Sequence, residues 1–260
     1  MIFYFSATGN SQNLARAIAQ ATHDKTTDIE SIPPEPYTYE LADGERLGFV
    51  FPTYFCTPPP IVMDFFRRLT IHTSSDYYGF IAVTYGSTFG ATFSTAIRAL
   101  LKSAITINAS FGLKTVDTFL PMFSLPTGQE LQELQKQAAL QTQILSQLIS
   151  DRAKGAFETK QTLPAVQSFF LKMLYHGMRK TKHFKTSEAC TGCGLCQKHC
   201  PVSAIQIVAQ RPKWTKNACL LCLRCLHHCP TSALDYDDMT AGKRRYSAPI
   251  ALSDSSDSNA

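Results

Sequence analysis

Residues 190–205 read CTGCGLCQKHCPVSAI, and residues 219–234 read CLLCLRCLHHCPTSAL. Both stretches follow the pattern C-x2-C-x2-C-x3-C-P and end in Ser-Ala followed by Ile or Leu. Three cysteines at intervals of three can wrap one face of a cuboidal metal cluster in a tight loop. The proline lacks an N–H and therefore suits the first turn of a helix. The repeat predicts a small domain built around bound metal.

The compartment decides how these cysteines are interpreted. Eight of the nine cysteines lie in the two stretches, and the ninth is Cys56, for which we expect a buried, inert thiol. Met1 leads directly into an apolar run without a charged leader or cleavage site, which predicts a cytoplasmic protein with reduced thiols. Structural zinc is the alternative ligand, but zinc sites usually pair two C-x2-C knuckles. The doubled four-cysteine motif therefore favours iron–sulfur clusters.

The two motifs resemble those of bacterial two-cluster ferredoxins. The resemblance implies two [4Fe–4S] clusters, each held by three cysteines of one motif and the fourth cysteine of the other. The first cluster would be held by Cys190, Cys193, Cys196 and Cys229. The second cluster would be held by Cys219, Cys222, Cys225 and Cys200. We expect Trp214, between the motifs, to pack in the core of this domain, and the histidines beside the motifs to lie at the surface.

A second kind of site is predicted at the other end of the chain. The strand-like run 2–5 is followed by a hydroxyl-rich loop and then by a helical pattern. Such a loop can bind phosphate through helix N-terminal N–H groups and hydroxyls, although the same residues also cap ordinary helices. It contains no lysine, so it is not a Walker A loop. It resembles the FMN phosphate loop of flavodoxins, which implies contacts from Ser6, Thr8, Gly9, Asn10 and Ser11.

Two further loops support an FMN site. In doubly wound parallel sheets, ligands bind outside the carboxyl ends of the strands. Flavodoxin-like proteins place the flavin ring between the loops after the third and fourth strands. The strand 47–51 is followed by Pro52, Thr53, Tyr54 and Phe55. The strand 80–84 is followed by Tyr85, Gly86, Ser87, Phe89 and Gly90. These loops offer aromatic rings for stacking and small residues for close approach.

The remaining pattern predicts an α/β chain with a doubly wound parallel sheet of flavodoxin-like order 2-1-3-4-5 and a smaller α+β two-cluster ferredoxin-like domain. Helices are expected over 61–69, 91–101 and 129–149, and the fifth strand over 115–120. The proline-rich residues 31–46 predict an abbreviated second crossover. The expected domains are 1–150 for the FMN-binding part, 151–185 for a basic helical connector, 186–238 for the ferredoxin-like part and 239–260 for a largely disordered tail.

The connector has an amphipathic pattern over about 164–178, where aromatic and basic residues coincide. Packing between the domains is the favoured interpretation, with a peripheral membrane anchor as the alternative. No uncharged apolar stretch reaches 18 residues, so we expect no transmembrane segment.

Charge is distributed unevenly. Residues 1–150 contain 9 Lys and Arg against 12 Asp and Glu, whereas residues 151–260 contain 16 against 8. Two oxidised clusters would contribute about −2 each, and the FMN phosphate close to −2. The cofactors would therefore bring the formal charge of +5 to about −1. This removes the main support for nucleic-acid binding, while the basic stretch 179–185 leaves an acidic redox partner open.

The whole chain resembles the fused flavodoxin–ferredoxin family of anaerobic bacteria and archaea. The resemblance implies an electron carrier in which electrons pass between two [4Fe–4S] clusters and FMN and on to a redox partner. One alternative is an FMN-dependent reductase of a small organic substrate, with Tyr85 or His72 as proton donor. A second alternative is a flavin-free docking module that carries a ferredoxin. The partner, the direction of electron flow and the oligomeric state are left open by the sequence.

Overall fold

A six-stranded parallel sheet forms the centre of the N-terminal half. The structure is a computed structural model that describes residues 1–158 and 165–248. The strands of the N-terminal half are β1 (Ile2–Tyr4), β2 (Thr26–Asp28), β3 (Tyr37–Glu40), β4 (Arg46–Pro52), β5 (Leu69–His72), β6 (Tyr78–Tyr85), β7 (Ala109–Lys114) and β8 (Gly155–Phe157). The order in the central sheet is β2-β1-β4-β6-β7-β8, and all neighbours are parallel.

Helices cover both faces of this sheet. They are α1 (Asn10–Thr22), α2 (Pro60–Arg68), α3 (Thr92–Lys102) and α4 (Gly128–Ser150). Successive residues of β1 enter opposite cores, with Phe3 on the side of α2 and α3 and Ile2 on the side of α1 and α4. The central strand β6 is buried along its whole length, as expected for a parallel strand with both faces covered. The chain is therefore an α/β protein with helices on both sides of the sheet.

The fifth strand differs from the sequence prediction. It spans Ala109–Lys114, whereas residues 115–119 form a loop at its carboxyl end. Residues 115–120 include Val, Thr and Phe, which are common in strands, whereas 109–114 include Ala, Ser and Gly. Residues 109–114 nevertheless form the strand, because neighbouring elements cover both of its faces. The edge strand β8 was also not predicted and lies inside the expected connector.

The proline-rich second crossover is short, as expected, and contains no long helix. A single 3₁₀ turn over Ile29–Ser31 leads into β3, which pairs with β5 in a separate two-stranded parallel sheet. The side chain of Arg68 donates hydrogen bonds to the backbone carbonyls of Ile32, Pro33 and Glu35. These contacts hold the crossover against the end of α2.

The C-terminal half repeats one small unit. Its elements are α5 (Ala165–Met178), β9 (Phe184–Thr186), α6 (Leu195–Lys198), β10 (Ile205–Val208), β11 (Arg211–Trp214), α7 (Arg224–His227) and β12 (Leu234–Tyr236). Each cysteine motif contains one short helix and is followed by one strand. β9 pairs antiparallel with β12, and β10 with β11. Trp214 stacks on Phe184 with ring centroids 5.0 Å apart, so it packs in this core as predicted.

Two segments connect the halves. Tyr175 of α5 is buried, stacks on Phe55 at 4.9 Å and donates its hydroxyl to the carbonyl of Leu220. Residues 239–248 have no regular helix or strand, but Tyr246 is buried and donates its hydroxyl to Asn10 Oδ1 at 2.9 Å. The predicted disorder of the tail beyond residue 248 lies outside the described residues.

The close approach of Gly79 to a neighbouring chain segment gives a test of the sheet. A Cβ at Gly79 would overlap the carbonyl oxygen of Thr106, whereas a Cβ at Gly177 on α5 would meet nothing within 4 Å. Gly79→Ala is therefore expected to destabilise the fold by about 1–3 kcal/mol. Gly177→Ala is the matched control and is expected to be neutral or to stabilise by up to about 1 kcal/mol. Denaturant unfolding measures both variants, and equal stabilities would contradict the backbone placement.

Candidate functional site

The loop after β1 has the geometry of an anion-binding loop. Gly9 adopts φ 96° at the N-cap of α1, and its N–H donates to Ser6 Oγ at 3.2 Å. Within the described residues, the N–H groups of Ala7 and Thr8 donate to no protein acceptor. They lie at the N-terminal end of α1, where the helix dipole favours negative charge. The loop therefore has free donors where a phosphate would bind.

A cleft of about 210 Å³ opens at the carboxyl ends of the strands. Eleven of the fourteen residues predicted for FMN line it: Ser6, Thr8, Asn10, Ser11, Pro52, Thr53, Tyr54, Phe55, Tyr85, Gly86 and Ser87. We call it the main cleft. It brings together the loops after β1, β4 and β6, because the carboxyl ends of parallel strands meet at one edge of the sheet. A hydrogen bond between the hydroxyls of Ser11, at the start of α1, and Thr84, at the end of β6, joins two sides of the cleft at 2.7 Å.

Three predicted residues do not line the main cleft. Phe89 is buried between Tyr85 and Phe93, with ring centroids 5.2 and 5.0 Å away. Gly90 lies behind it and donates its N–H to Thr88 Oγ1 at 3.3 Å. Gly9 shapes the first loop but is covered by Ala248, whose N–H donates to the carbonyl of Thr8 at 2.8 Å.

The sequence prediction missed one wall of the main cleft. Residues 115–119, which follow β7, line it together with Met122, Phe123, Leu171, Tyr175, Leu221, Cys222 and Leu223. Asp117 accepts hydrogen bonds from Ser87 Oγ at 2.8 Å and from the N–H of Phe119 at 3.0 Å. A correct placement of the fifth strand would have identified residues 115–119, which we call the Asp117 loop, as part of the site. Residues 221–223 line the cleft only because the C-terminal half docks on the N-terminal half.

The cysteines assemble around two separate cavities. Cys190, Cys193, Cys196 and Cys229 line the first cysteine cavity. Cys200, Cys219, Cys222 and Cys225 line the second cysteine cavity. Each group contains the four cysteines that the resemblance to two-cluster ferredoxins implied. In the described part of the chain, no three His, Cys, Asp or Glu residues surround a site for one metal ion.

Backbone donors and burial define the chemistry of the sulfurs. N–H groups donate to the Sγ atoms of Cys200, Cys219 and Cys229 at 3.2 to 3.3 Å. Burial raises the pKa of Cys222 to about 12 and that of Cys225 well above its ordinary value. Thiolates at these positions need positive charge in the cavity, which iron ions would supply. The donor set fits a four-thiolate iron–sulfur cluster in each cavity.

The two cavities differ in exposure. Cys193 in the first cavity is exposed, whereas all four cysteines of the second cavity are half-buried. Leu221 and Leu223 adopt the left-handed region, with φ 53° and 56°, where the first motif has Gly192 and Gly194. Leucine is strained in this conformation, and both leucines are almost fully buried on the wall of the main cleft. Their burial offsets the strain, and Leu223 lies between the two spaces because it lines both the main cleft and the second cysteine cavity.

Cys222 lines both the second cysteine cavity and the main cleft. Tyr54, which also lines the main cleft, has a buried hydroxyl without a hydrogen-bond partner in the described structure. Burial raises its pKa, and the nearby Cys222 raises it further. This hydroxyl is free to hydrogen-bond a polar ligand group at the boundary. The boundary between cleft and cavity thus fits a ligand on one side and thiolate-bound metal on the other.

Arg224 joins the two halves beside this boundary. Its guanidinium forms a two-point ion pair with Glu30, and one of the two hydrogen bonds measures 2.7 Å. It also donates to the backbone carbonyls of Ser6, Ala7 and His199. Both partners of the ion pair are largely buried, with 11% and 19% of their side chains exposed. The second cysteine motif is therefore fastened directly to the loop after β1.

His227 is buried, contrary to the expectation that the histidines near the motifs lie at the surface. Its Nε2 contacts the carbonyl of Thr118 at 2.9 Å, and its Nδ1 accepts from the N–H of Tyr246 at 3.1 Å. Burial lowers its pKa to about 4, so the ring stays neutral at pH 7. This ring joins the second motif to the Asp117 loop and to the C-terminal segment.

Comparison with protein families matches residues 189–234 to the 4Fe-4S dicluster domain. The C-terminal part of the chain is thus a ferredoxin-like iron–sulfur domain, and its clustered cysteines indicate electron transfer. Comparison with curated proteins found no match. No helix in the described ranges is both long and apolar enough to cross a membrane.

The ionisation of Asp28, beside the Arg224–Glu30 pair, predicts a pH-dependent stability. Burial raises the pKa of Asp28 to about 6, and its Oδ1 accepts from the N–H of Glu30 at 3.0 Å. The folded state therefore binds more protons than the unfolded state between pH 4 and 6, so this carboxyl reduces stability as the pH rises. Asp28→Asn keeps the acceptor and removes the buried charge. It should raise the melting temperature at pH 7.5 more than at pH 5, and an effect that is larger at pH 5 would contradict this.

Proposed function

We propose that the chain is an electron-transfer flavo-iron–sulfur protein that passes electrons between two [4Fe–4S] clusters and FMN, and on to a redox partner. The observation that carries the proposal is the position of Cys222, which lines both the second cysteine cavity and the main cleft. Under this proposal one cluster ligand borders the flavin site directly. The order of centres is first cluster, second cluster, flavin.

The cluster ligands proposed from the ferredoxin resemblance are the two sets that line the cavities. The first set is Cys190, Cys193, Cys196 and Cys229, and the second is Cys200, Cys219, Cys222 and Cys225. When bound, each cluster supplies a one-electron centre. The chain supplies N–H donors to the sulfurs, and the buried Leu220 and Leu223 cover part of the second site. The exposed Cys193 makes the first cluster the entry or exit point for a partner protein.

The proposed FMN site is the main cleft, in a domain with a flavodoxin-like sheet. The strand order supports this assignment if β3 and β5 are treated as an insertion and β8 as an addition to the order 2-1-3-4-5. The free N–H groups of Ala7 and Thr8 and the surrounding hydroxyls would bind the phosphate. FMN, when bound, supplies a centre for one or two electrons. The flavin ring would lie between the walls formed by Tyr54, Phe55 and Tyr85.

The basic stretch 179–185 leaves less free charge for a partner than its composition indicates. Arg179 donates to the carbonyl of Cys219 at 2.6 Å, and Lys185 pairs with Asp238 at 2.9 Å. Lys180 and Lys182 are exposed. We therefore propose an acidic redox partner that approaches this side of the ferredoxin-like domain, in a cytoplasmic setting where thiols stay reduced.

A flavin-dependent reductase is the second candidate function. Tyr85 lines the main cleft, and burial raises the pKa of its hydroxyl, so it is a neutral donor. His72, the other donor considered, lies at an exposed position and pairs with Glu40 instead. Reduction of a specific metabolite that depends on the Tyr85 hydroxyl would favour the reductase over the carrier.

The cofactor content tests the proposal first. Anaerobically reconstituted protein is expected to contain about eight irons per chain, with brown iron–sulfur absorbance, and to bind FMN. Iron analysis and a flavin titration measure both. Stoichiometric zinc without iron would contradict the cluster assignment. Iron loading without FMN binding would favour the docking-module alternative.

A proposed cluster ligand and a cysteine outside both cavities give a matched pair of variants. Cys222→Ser should reduce the iron content from about eight to about four per chain, because the second cluster loses a ligand. Cys56→Ser is the control, since Cys56 is buried, belongs to neither cavity and should leave the iron content unchanged. An unchanged iron content in Cys222→Ser would contradict the second ligand set.

A further inference from the structure

Arg224 occupies a spacer position of the second cysteine motif, yet its side chain reaches the N-terminal half. Its Nε donates to the carbonyl of Ala7 at 3.2 Å, and an Nη donates to the carbonyl of Ser6. The guanidinium also lies 5.8 Å from the centroid of the Phe5 ring. No other spacer residue in the described structure has a comparable set of partners in the other half.

Fixing these two carbonyls also fixes two N–H groups. The C=O and N–H of one trans peptide point in opposite directions. The carbonyl of Ser6 shares its peptide with the N–H of Ala7, and the carbonyl of Ala7 shares its peptide with the N–H of Thr8. When Arg224 binds both carbonyls, both N–H groups point away from it. These are the N–H groups that have no protein acceptor in the described residues.

We propose that Arg224, held by Glu30, is a positioning residue that orients the Ala7 and Thr8 N–H groups for the phosphate of FMN. The inference rests on the proposed FMN site and assigns the ferredoxin-like half a direct part in forming it. The second cysteine motif then sets the affinity of the loop after β1 for a phosphate-bearing flavin. Because coupling is reciprocal, phosphate binding also stabilises the docked position of the second motif.

The chemistry requires arginine at this position. Glu30 and two carbonyls occupy different edges of the planar guanidinium, which presents five donors in a rigid fork. The guanidinium makes five hydrogen bonds, to Glu30 and to the carbonyls of Ser6, Ala7 and His199, whereas a lysine ammonium has only three N–H donors. Glu30 keeps the fork in place and balances its charge, which a largely buried cation needs.

The test compares FMN with riboflavin, which has the same ring but no phosphate. The cluster-loaded, flavin-free chain is titrated with each flavin by fluorescence quenching under anaerobic conditions. Arg224→Gln is expected to weaken FMN binding about ten- to hundredfold, as loss of oriented hydrogen bonds to a charged ligand predicts. Riboflavin binding should stay within about twofold, because Tyr175 and His227 also hold the two halves together beside the ring site. A merely structural role would weaken both flavins equally and would overturn the proposal.

Two further variants secure this comparison. Arg211→Gln is the matched control, because Arg211 bridges Glu188 and the carbonyl of Ser187 within the ferredoxin-like half, and it should bind both flavins like the wild type. Arg224→Lys keeps the positive charge. It replaces Arg224→Gln in the titrations if Arg224→Gln fails to load iron. It should also lose the preference for FMN, and a wild-type preference would overturn the proposal.

The outcomes separate this inference from the proposed function. A wild-type chain that binds neither flavin contradicts the FMN site, and with it the inference. A wild-type chain that prefers FMN, together with an Arg224→Gln variant that prefers it equally, contradicts the inference alone. Iron analysis and visible circular dichroism of each variant establish that the clusters are intact.

Discussion

The buried ion pair between Arg224 and Glu30 is the interaction on which the arrangement of the site depends. Removing either partner would leave a charge in a largely buried position, which is costly. The pair holds the second cysteine motif against the loop after β1, and this docking brings Cys222 to the wall of the main cleft. The cleft is therefore built by both halves of the chain. Neither the sheet nor the ferredoxin-like domain has it alone.

Much of this arrangement could be predicted from the sequence, because it depends on short sequence motifs and on the pattern of strands and helices. The resemblance of the cysteine motifs to two-cluster ferredoxins implied both ligand sets, and each set lines one cavity. The loops after β1, β4 and β6 were predicted from the strand–loop–helix pattern, and they meet because parallel strands end at one edge. The predicted helices of the N-terminal half agree with α2, α3 and α4 to within one residue at each end. These features depend on contacts that are close in sequence or fixed by the sheet.

Other features could not be predicted, for physical reasons. The fifth strand contains Ala, Ser and Gly, and its burial comes from neighbours on both faces, so the strand-favouring Val, Thr and Phe of residues 115–120 gave a misleading signal. The three-residue β8 carries no pattern of its own. Arg224 occupies a variable spacer position, and its role becomes visible only when Glu30, 194 residues earlier, lies beside it. The left-handed leucines at 221 and 223 are likewise stabilised by burial that only the docked halves provide.

The central claim is that the second cysteine cavity and the main cleft form one electron pathway within a single chain. The direct measurement is laser-flash reduction of the reconstituted protein, followed at iron–sulfur and flavin wavelengths over a range of protein concentrations. The account predicts that electrons pass between cluster and flavin at a rate independent of protein concentration. A rate proportional to protein concentration, or no transfer in a protein that contains both cofactors, would contradict it.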